Sequence, residues 1–194
     1  MLGRTVPGRR AAAPAVALAT VVLTPAAAAG SVDPSGVVDE PVARVTVACA
    51  QSSARPSEAT RAAMRRAVRC LVNAHRRAAG LRPLHAVDSL TRAAQRHARD
   101  MVRRGYFAHQ RAGGPGLMAR ARAAGFRGSR VGEAIAWGCG TLATPATTVG
   151  NWLASPPHRA ILLSGRYGRV GVGVMRRAPG GCRGGTWVLD VGGG

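Results

Sequence analysis

Val131-Gly132-Glu133-Ala134-Ile135-Ala136-Trp137-Gly138 places a single carboxylate inside an apolar run with β-branched members. Such a run reads as a strand, predicted over residues 131–136. An anion among Val, Ile, Ala and Trp is costly to bury unless it is paired or hydrogen-bonded. Glu133 therefore needs a partner: an imidazolium, a metal or backbone N–H groups. Two readings stand together. The carboxylate either serves a functional pocket or ties two segments of the fold together.

Reading outward, Tyr106-Phe107-Ala108-His109 precedes this strand, and Trp152-Leu153-Ala154-Ser155-Pro156-Pro157-His158-Arg159 follows it. The chain has five histidines and eight acids, so histidines in such marked contexts stand out. His109 lies in a Gly-rich segment (Gly113, Gly114, Gly116). A loop imidazole beside aromatics can ligate a metal through one nitrogen while a partner orients the other. The alternative is an ordinary surface or core histidine. His158 follows a rigid Pro-Pro turn that can aim a side chain, or that simply starts a helix. His97 falls on the apolar stripe of its helix and reads as a core histidine. His75 and His85 read as exposed, and Trp137 and Trp152 as core packing. Ser155 beside His158 lacks a GxSxG elbow, which argues against serine hydrolysis.

The remaining pattern is helices first, then strands interleaved with helices. Ser57 as N-cap predicts a helix ending at Gly80, with Met64, Val68, Leu71, Val72 and Ala78 on one face. A second runs from Ser89 to Gly105. A short third covers residues 117–124. A fourth begins with Thr144 as N-cap and Pro145 at the first helical position. Further strands are predicted over residues 169–175 and 186–191. The pattern alone gives an α+β fold.

These segments together resemble the CAP superfamily (cysteine-rich secretory protein, antigen 5, pathogenesis-related 1), in its bacterial SCP-like form. The resemblance rests on FxH, GExIAWG and WxxSPxHRxxLL. It also rests on Leu71-Val72-Asn73-Ala74-His75-Arg76, on residues 90–101, and on the strands around Val170 and Trp187. It implies a three-layer α–β–α sandwich with a mostly antiparallel sheet. It also implies that His109 and His158 face each other across a cleft, as ligands for a divalent metal such as zinc. Two departures matter. Ala134 stands where many members have Asn. Ser155 stands three residues after Trp152, where eukaryotic members carry a second Glu. Without that acid a two-carboxylate mechanism has no obvious second player. Asp100 and Asp190 are the nearest candidates by sequence, and both are expected to be structural, with Asp100 pairing with Arg96, Arg103 or Arg104.

Composition bounds the setting. Arg4, Arg9 and Arg10, the apolar residues 11–26 and Ala27-Ala28-Ala29 read as an export signal over residues 1–29, with an uncleaved anchor as the alternative. Residues 30–56 read as a linker arm and residues 57–194 as the SCP-like domain. After cleavage no other segment is apolar enough to span a membrane. The expected location is secreted or associated with the cell envelope. Four cysteines in an exported chain read as two disulfides. Three pairings are possible, and the expectation carried forward is Cys49–Cys70 and Cys139–Cys182. The formal charge is +20, all of it from 28 Arg with no Lys, scattered along a chain with 4% aromatics. That is unlike the concentrated, aromatic-interleaved surface of a nucleic-acid binder. It does favour salt-sensitive attraction to anionic envelope surfaces.

Three functions follow as expectations. One is a binding module for a lipid or cell-wall ligand, or for a protein partner. Another is a zinc-dependent hydrolase with His109 and His158 as ligands and Glu133 as base or water-orienting group. The third is a structural wall protein with a vestigial pocket.

Overall fold

The computed structural model describes residues 49–194. The expected signal, its cleavage site and the arm as far as residue 48 lie outside the described residues. The elements in chain order are α1 (Arg61–Ala78), β1 (His85–Ala86), α2 (Asp88–Arg104), α3 (Leu117–Ala123), β2 (Arg130–Cys139), a 3-10 turn (Gly140–Ala143), α4 (Pro145–Ala154), α5 (Pro156–Leu162), β3 (Arg169–Arg177) and β4 (Arg183–Gly193). The strands form one sheet in the order β1-β3-β4-β2. β1 runs parallel to β3, while β3 and β2 are antiparallel to β4, so the sheet is mixed.

Alternation along the strands builds two different faces. One face carries Ala134 of β2, Val170, Val172 and Val174 of β3, and Trp187, Leu189 and Val191 of β4. They pack against Met64, Val68, Leu71 and Val72 of α1 and Val149 and Trp152 of α4 in one apolar core. The opposite face carries Glu133, Ile135, Val188 and Asp190, together with Gly171 and Gly173 of β3. There α2 packs on the sheet with Ala94, Ala98 and Met101. Small residues meet on both sides of that contact. A Cβ at Gly171 would run into the backbone of Leu90 and Thr91, and one at Gly173 into that of Ala94 and Gln95. The Val-Gly-Val-Gly-Val pattern of β3 thus sends bulk to one layer and lets α2 sit close on the other.

Boundaries follow local chemistry. α1 starts at Arg61, not just after Ser57, because Thr60 Oγ1 accepts from the Ala63 N–H at 3.1 Å. α2 ends where Gly105 turns left-handed at φ 66°. Thr144 caps α4 with Pro145 at its first position, as predicted. α5 is the helix that the alternative reading of the Pro-Pro turn anticipated. Ser155 ends α4 and begins α5 as one shared cap, and Pro156 and Pro157 occupy the first turn. Both expected disulfides are present, Cys49–Cys70 and Cys139–Cys182. The first ties the segment before α1 to that helix. The second ties the end of β2 to the β3–β4 turn.

Arg76, buried on α1, donates to four backbone carbonyls: Arg82 at 3.0 Å, Leu162 at 2.7 Å, Ser164 at 2.9 Å and Tyr167 at 3.1 Å. Carbonyls at the end of α5 carry partial negative charge, which suits a guanidinium with no acid beside it. Trp137 departs from the core assignment. It is 50% exposed near the far end of β2, whereas Trp152 is buried and donates its indole N–H to Ile135 O at 3.0 Å.

Gly173→Ala will lower the denaturant midpoint by the equivalent of about 3 kcal/mol or more, because the new methyl meets helix backbone rather than a movable side chain. Gly180→Ala, at a position open to solvent, will change it by less than about 0.5 kcal/mol.

Candidate functional site

Glu133 organises the site. Its side chain is 2% exposed, and both oxygens are engaged. Oε1 accepts from His109 Nδ1 at 2.8 Å, and Oε2 accepts from Arg120 Nη2 at 2.6 Å. His97 Nε2 lies 3.8 Å from Oε2. Arg120 reaches the strand from α3 and is itself only 10% exposed. Its Nη1 also donates to His109 O at 2.7 Å and Pro115 O at 3.2 Å. One guanidinium therefore neutralises the carboxylate and fixes the loop that carries His109. His97 completes the clamp by donating Nε2–H to Ala108 O at 3.1 Å. Burial lowers the His97 pKa from its ordinary value, which keeps that ring neutral.

Asp190 stands directly opposite Glu133 in the β2–β4 ladder and is fully buried. As a carboxylate it would meet no donor. Burial, and then the charge of Glu133, raise its pKa well above the usual carboxylate range. That shift favours its protonated form. The cluster thus holds two carboxyl groups and one guanidinium.

His158 arrives from the other layer. It is the third residue of α5, aimed by the two prolines, and its Nδ1 pairs with Ser155 Oγ at 2.9 Å. α5 packs on the opposite face of β2, where Ile161 lies close to Gly132. β2 is an edge strand, so α5 and the His109 loop reach one strand from opposite layers. The rings are near enough that the His109 charge, second to burial, lowers the His158 pKa. His109 is 58% exposed, and each ring has its Nδ1 held. No hydrogen bond from the described residues engages either Nε2.

The two sequence departures acquire physical meaning. Ala134 points away from Glu133 into the apolar core. An amide there would lie among hydrocarbons, so its absence takes no polar group from the cleft. Ser155 orients His158 instead of supplying a second acid. Asp100 does pair with Arg104, at 2.7 Å, and also accepts from Tyr106 Oη at 2.7 Å, which steadies the start of the His109 loop. The donor set does not make a closed zinc site. Among the described residues no group of three or more His, Cys, Asp or Glu side chains is placed to hold a metal ion. A structural zinc takes four protein ligands and a catalytic one usually three.

With fold and geometry in hand, comparison with known proteins is decisive on class. The model of the cysteine-rich secretory protein family, CAP, matches residues 70–190, and the chain belongs to that family. The uncharacterized protein YkwD of Bacillus subtilis is 33% identical over 107 residues, which are 54% of this chain and 40% of YkwD. The chain thus spans well under half of that relative. Among solved structures, an extracellular protein containing an SCP domain from Bacillus anthracis superposes with a TM-score of 0.59 at 21% identity, covering 70% of this chain and 44% of that one. An outer surface protein of Borrelia burgdorferi gives 0.55 at 20% identity, covering 63% and 86%. These structural likenesses establish the α+β fold. Among the described residues no helix is long and apolar enough to cross a membrane.

Two outcomes test the cluster. Arg120→Met leaves a buried anion without its guanidinium and will cost about 3–5 kcal/mol. Adding Glu133→Gln will recover part of that loss in a double-mutant cycle, and strict additivity in denaturant melts would refute the pairing. The Asp190 pKa is raised in the fold, so its contribution is complete below the ordinary value of 3.8 and is lost as pH rises toward the raised value. Asp190→Asn keeps the side-chain shape but cannot ionise. Its melting temperature relative to the parent will climb as pH rises above the ordinary carboxylate value. A difference independent of pH would mean that Asp190 ionises normally in the fold.

Proposed function

We propose that this chain acts outside the cell membrane as a ligand-capturing CAP module, with the cleft between His109 and His158 as its recognition site. The observation that supports this reading is the paired arrangement of the two imidazoles. Each is fixed at Nδ1, one by Glu133 and the other by Ser155, and each keeps Nε2 for an external group. Two such nitrogens suit a polar or anionic head group of a lipid or wall fragment. They also offer a divalent cation two ligands, with the remaining positions left to water or to the bound molecule. The outward setting agrees with the extracellular and outer-surface character of the structural neighbours.

The hydrolase reading is weaker on physical grounds. A general base must reach the proton it removes. Glu133 is buried, and its two oxygens are committed to His109 and Arg120. In our reading it orients His109 rather than activating water. Asp190 supplies the second carboxyl group that the helix after Trp152 lacks, but it is buried behind Glu133 and holds its proton.

Calorimetric titration of the disulfide-bonded chain with zinc will show weak binding that disappears in His109→Ala/His158→Ala. Peptide, ester and wall-polymer substrates will show no turnover with zinc present. Zinc binding that survives the double change would remove the cleft from the account. Turnover abolished by Glu133→Gln would overturn the binding-module reading in favour of hydrolysis.

A further inference from the structure

Away from the cleft, the outer side of α1 borders a groove of about 690 Å³. Arg66, Arg69 and Arg77 line it along the helix, with His85 at its far wall. Their spacing, three and then eight residues, places the guanidinium groups on one helical face over about 16 Å of axis. A smaller groove, about 190 Å³, continues from it, shares Arg66 and Arg69 and adds Arg65. Among the described residues no acid lines either groove. Among the described residues the acids are committed elsewhere or lie apart. Glu58 pairs with Arg55, Asp100 with Arg104 and Tyr106, Glu133 and Asp190 belong to the cleft cluster, and Asp88 opens α2.

α1 itself contains no Asp or Glu, and Arg61, Arg65 and Arg69 follow one another at four-residue steps. Like charges at that spacing oppose the helix. Burial, and then the charge of Arg61, pull the Arg65 pKa below its ordinary value. This concentration of unpaired charge is unfavourable in the isolated chain, and an anion laid in the groove would relieve it. Two features narrow the anion. The site is a groove, which fits an extended chain better than a flat membrane surface. No Phe, Tyr or Trp lines it, so it lacks the stacking platforms of single-stranded nucleic-acid sites. Guanidinium groups grip phosphate in bidentate fashion.

We propose that the α1 groove docks an extended phosphodiester polymer, of the chemistry found in anionic cell-wall chains. The site is separate from the His109–His158 cleft and does not depend on its role.

The test uses the full disulfide-bonded chain and two probes, long-chain inorganic polyphosphate and a purified glycerol-phosphate polymer. Arg66→Gln/Arg69→Gln/Arg77→Gln will weaken binding to both by about tenfold or more and make the salt dependence shallower by about two units of slope. The control Arg99→Gln/Arg103→Gln/Arg127→Gln removes the same charge from other exposed positions and will weaken binding by less than about threefold. Arg66→Lys/Arg69→Lys/Arg77→Lys keeps the charge and will fall between the parent and the Gln triple. Equal losses in the two Gln triples would overturn the site in favour of diffuse charge. Vesicles of phosphatidylglycerol or single-stranded DNA bound as tightly as the glycerol-phosphate polymer would overturn the assigned partner.

Discussion

A carboxylate sealed into an edge strand is the constraint around which this molecule is arranged. Glu133 cannot sit as a lone anion in β2. The fold surrounds it with a guanidinium from α3, an imidazole from the α2–α3 loop, a buried histidine from α2 and, from β4, an acid whose pKa burial raises. Those groups come from four separate stretches of chain, so satisfying one charge also joins the α2–α3 layer to the sheet. The same bonds hold the His109 loop against the strand. Positioning of the His109 loop and stability of the fold are therefore one electrostatic problem rather than two.

The sheet serves that arrangement through an asymmetry of bulk. Large side chains of β3 and β4 face α1 and α4, where they form the main core. The other face is thinned by glycines so that α2 lies close, and this close packing brings His97 within reach of Glu133. Arg76 plays a comparable part on the far side, gathering the chain after α5 by its carbonyls. In both places a cationic or aromatic nitrogen does the joining.

Much of this was legible because its signals are local. Thr144-Pro145 and Gly105 mark helix ends by mechanisms that need no tertiary context, and the alternation in β3 shows which residues share a face. Both expected disulfides formed, although the sequence left three pairings open. Glu133 announced itself as a charge in an apolar run. Its partners did not. Arg120 is one arginine among 28, so nothing in its neighbourhood marks it as the counter-charge. Asp190 reads as a polar residue in a closing strand, and only the register opposite Glu133 makes it a proton holder. His97 was rightly placed in the core, yet its nearness to Glu133 depends on the close seating of α2. Trp137 was misplaced because it lies near the end of its strand, beyond the cover of the helices. Hydrophobicity alone does not say where that cover stops.

Among the described residues the sheet ends in two margins, β1 and β2, and they are protected differently. On one side β1 is only two residues long and offers little to an incoming strand. On the other side β2 is ten residues long, a length that invites pairing with a foreign chain. The indole of Trp152 occupies the Ile135 carbonyl on that margin. A residue that looks like simple core filling thus also serves as a bolt against self-templating, because one nitrogen of a tryptophan takes an acceptor that a foreign strand would need.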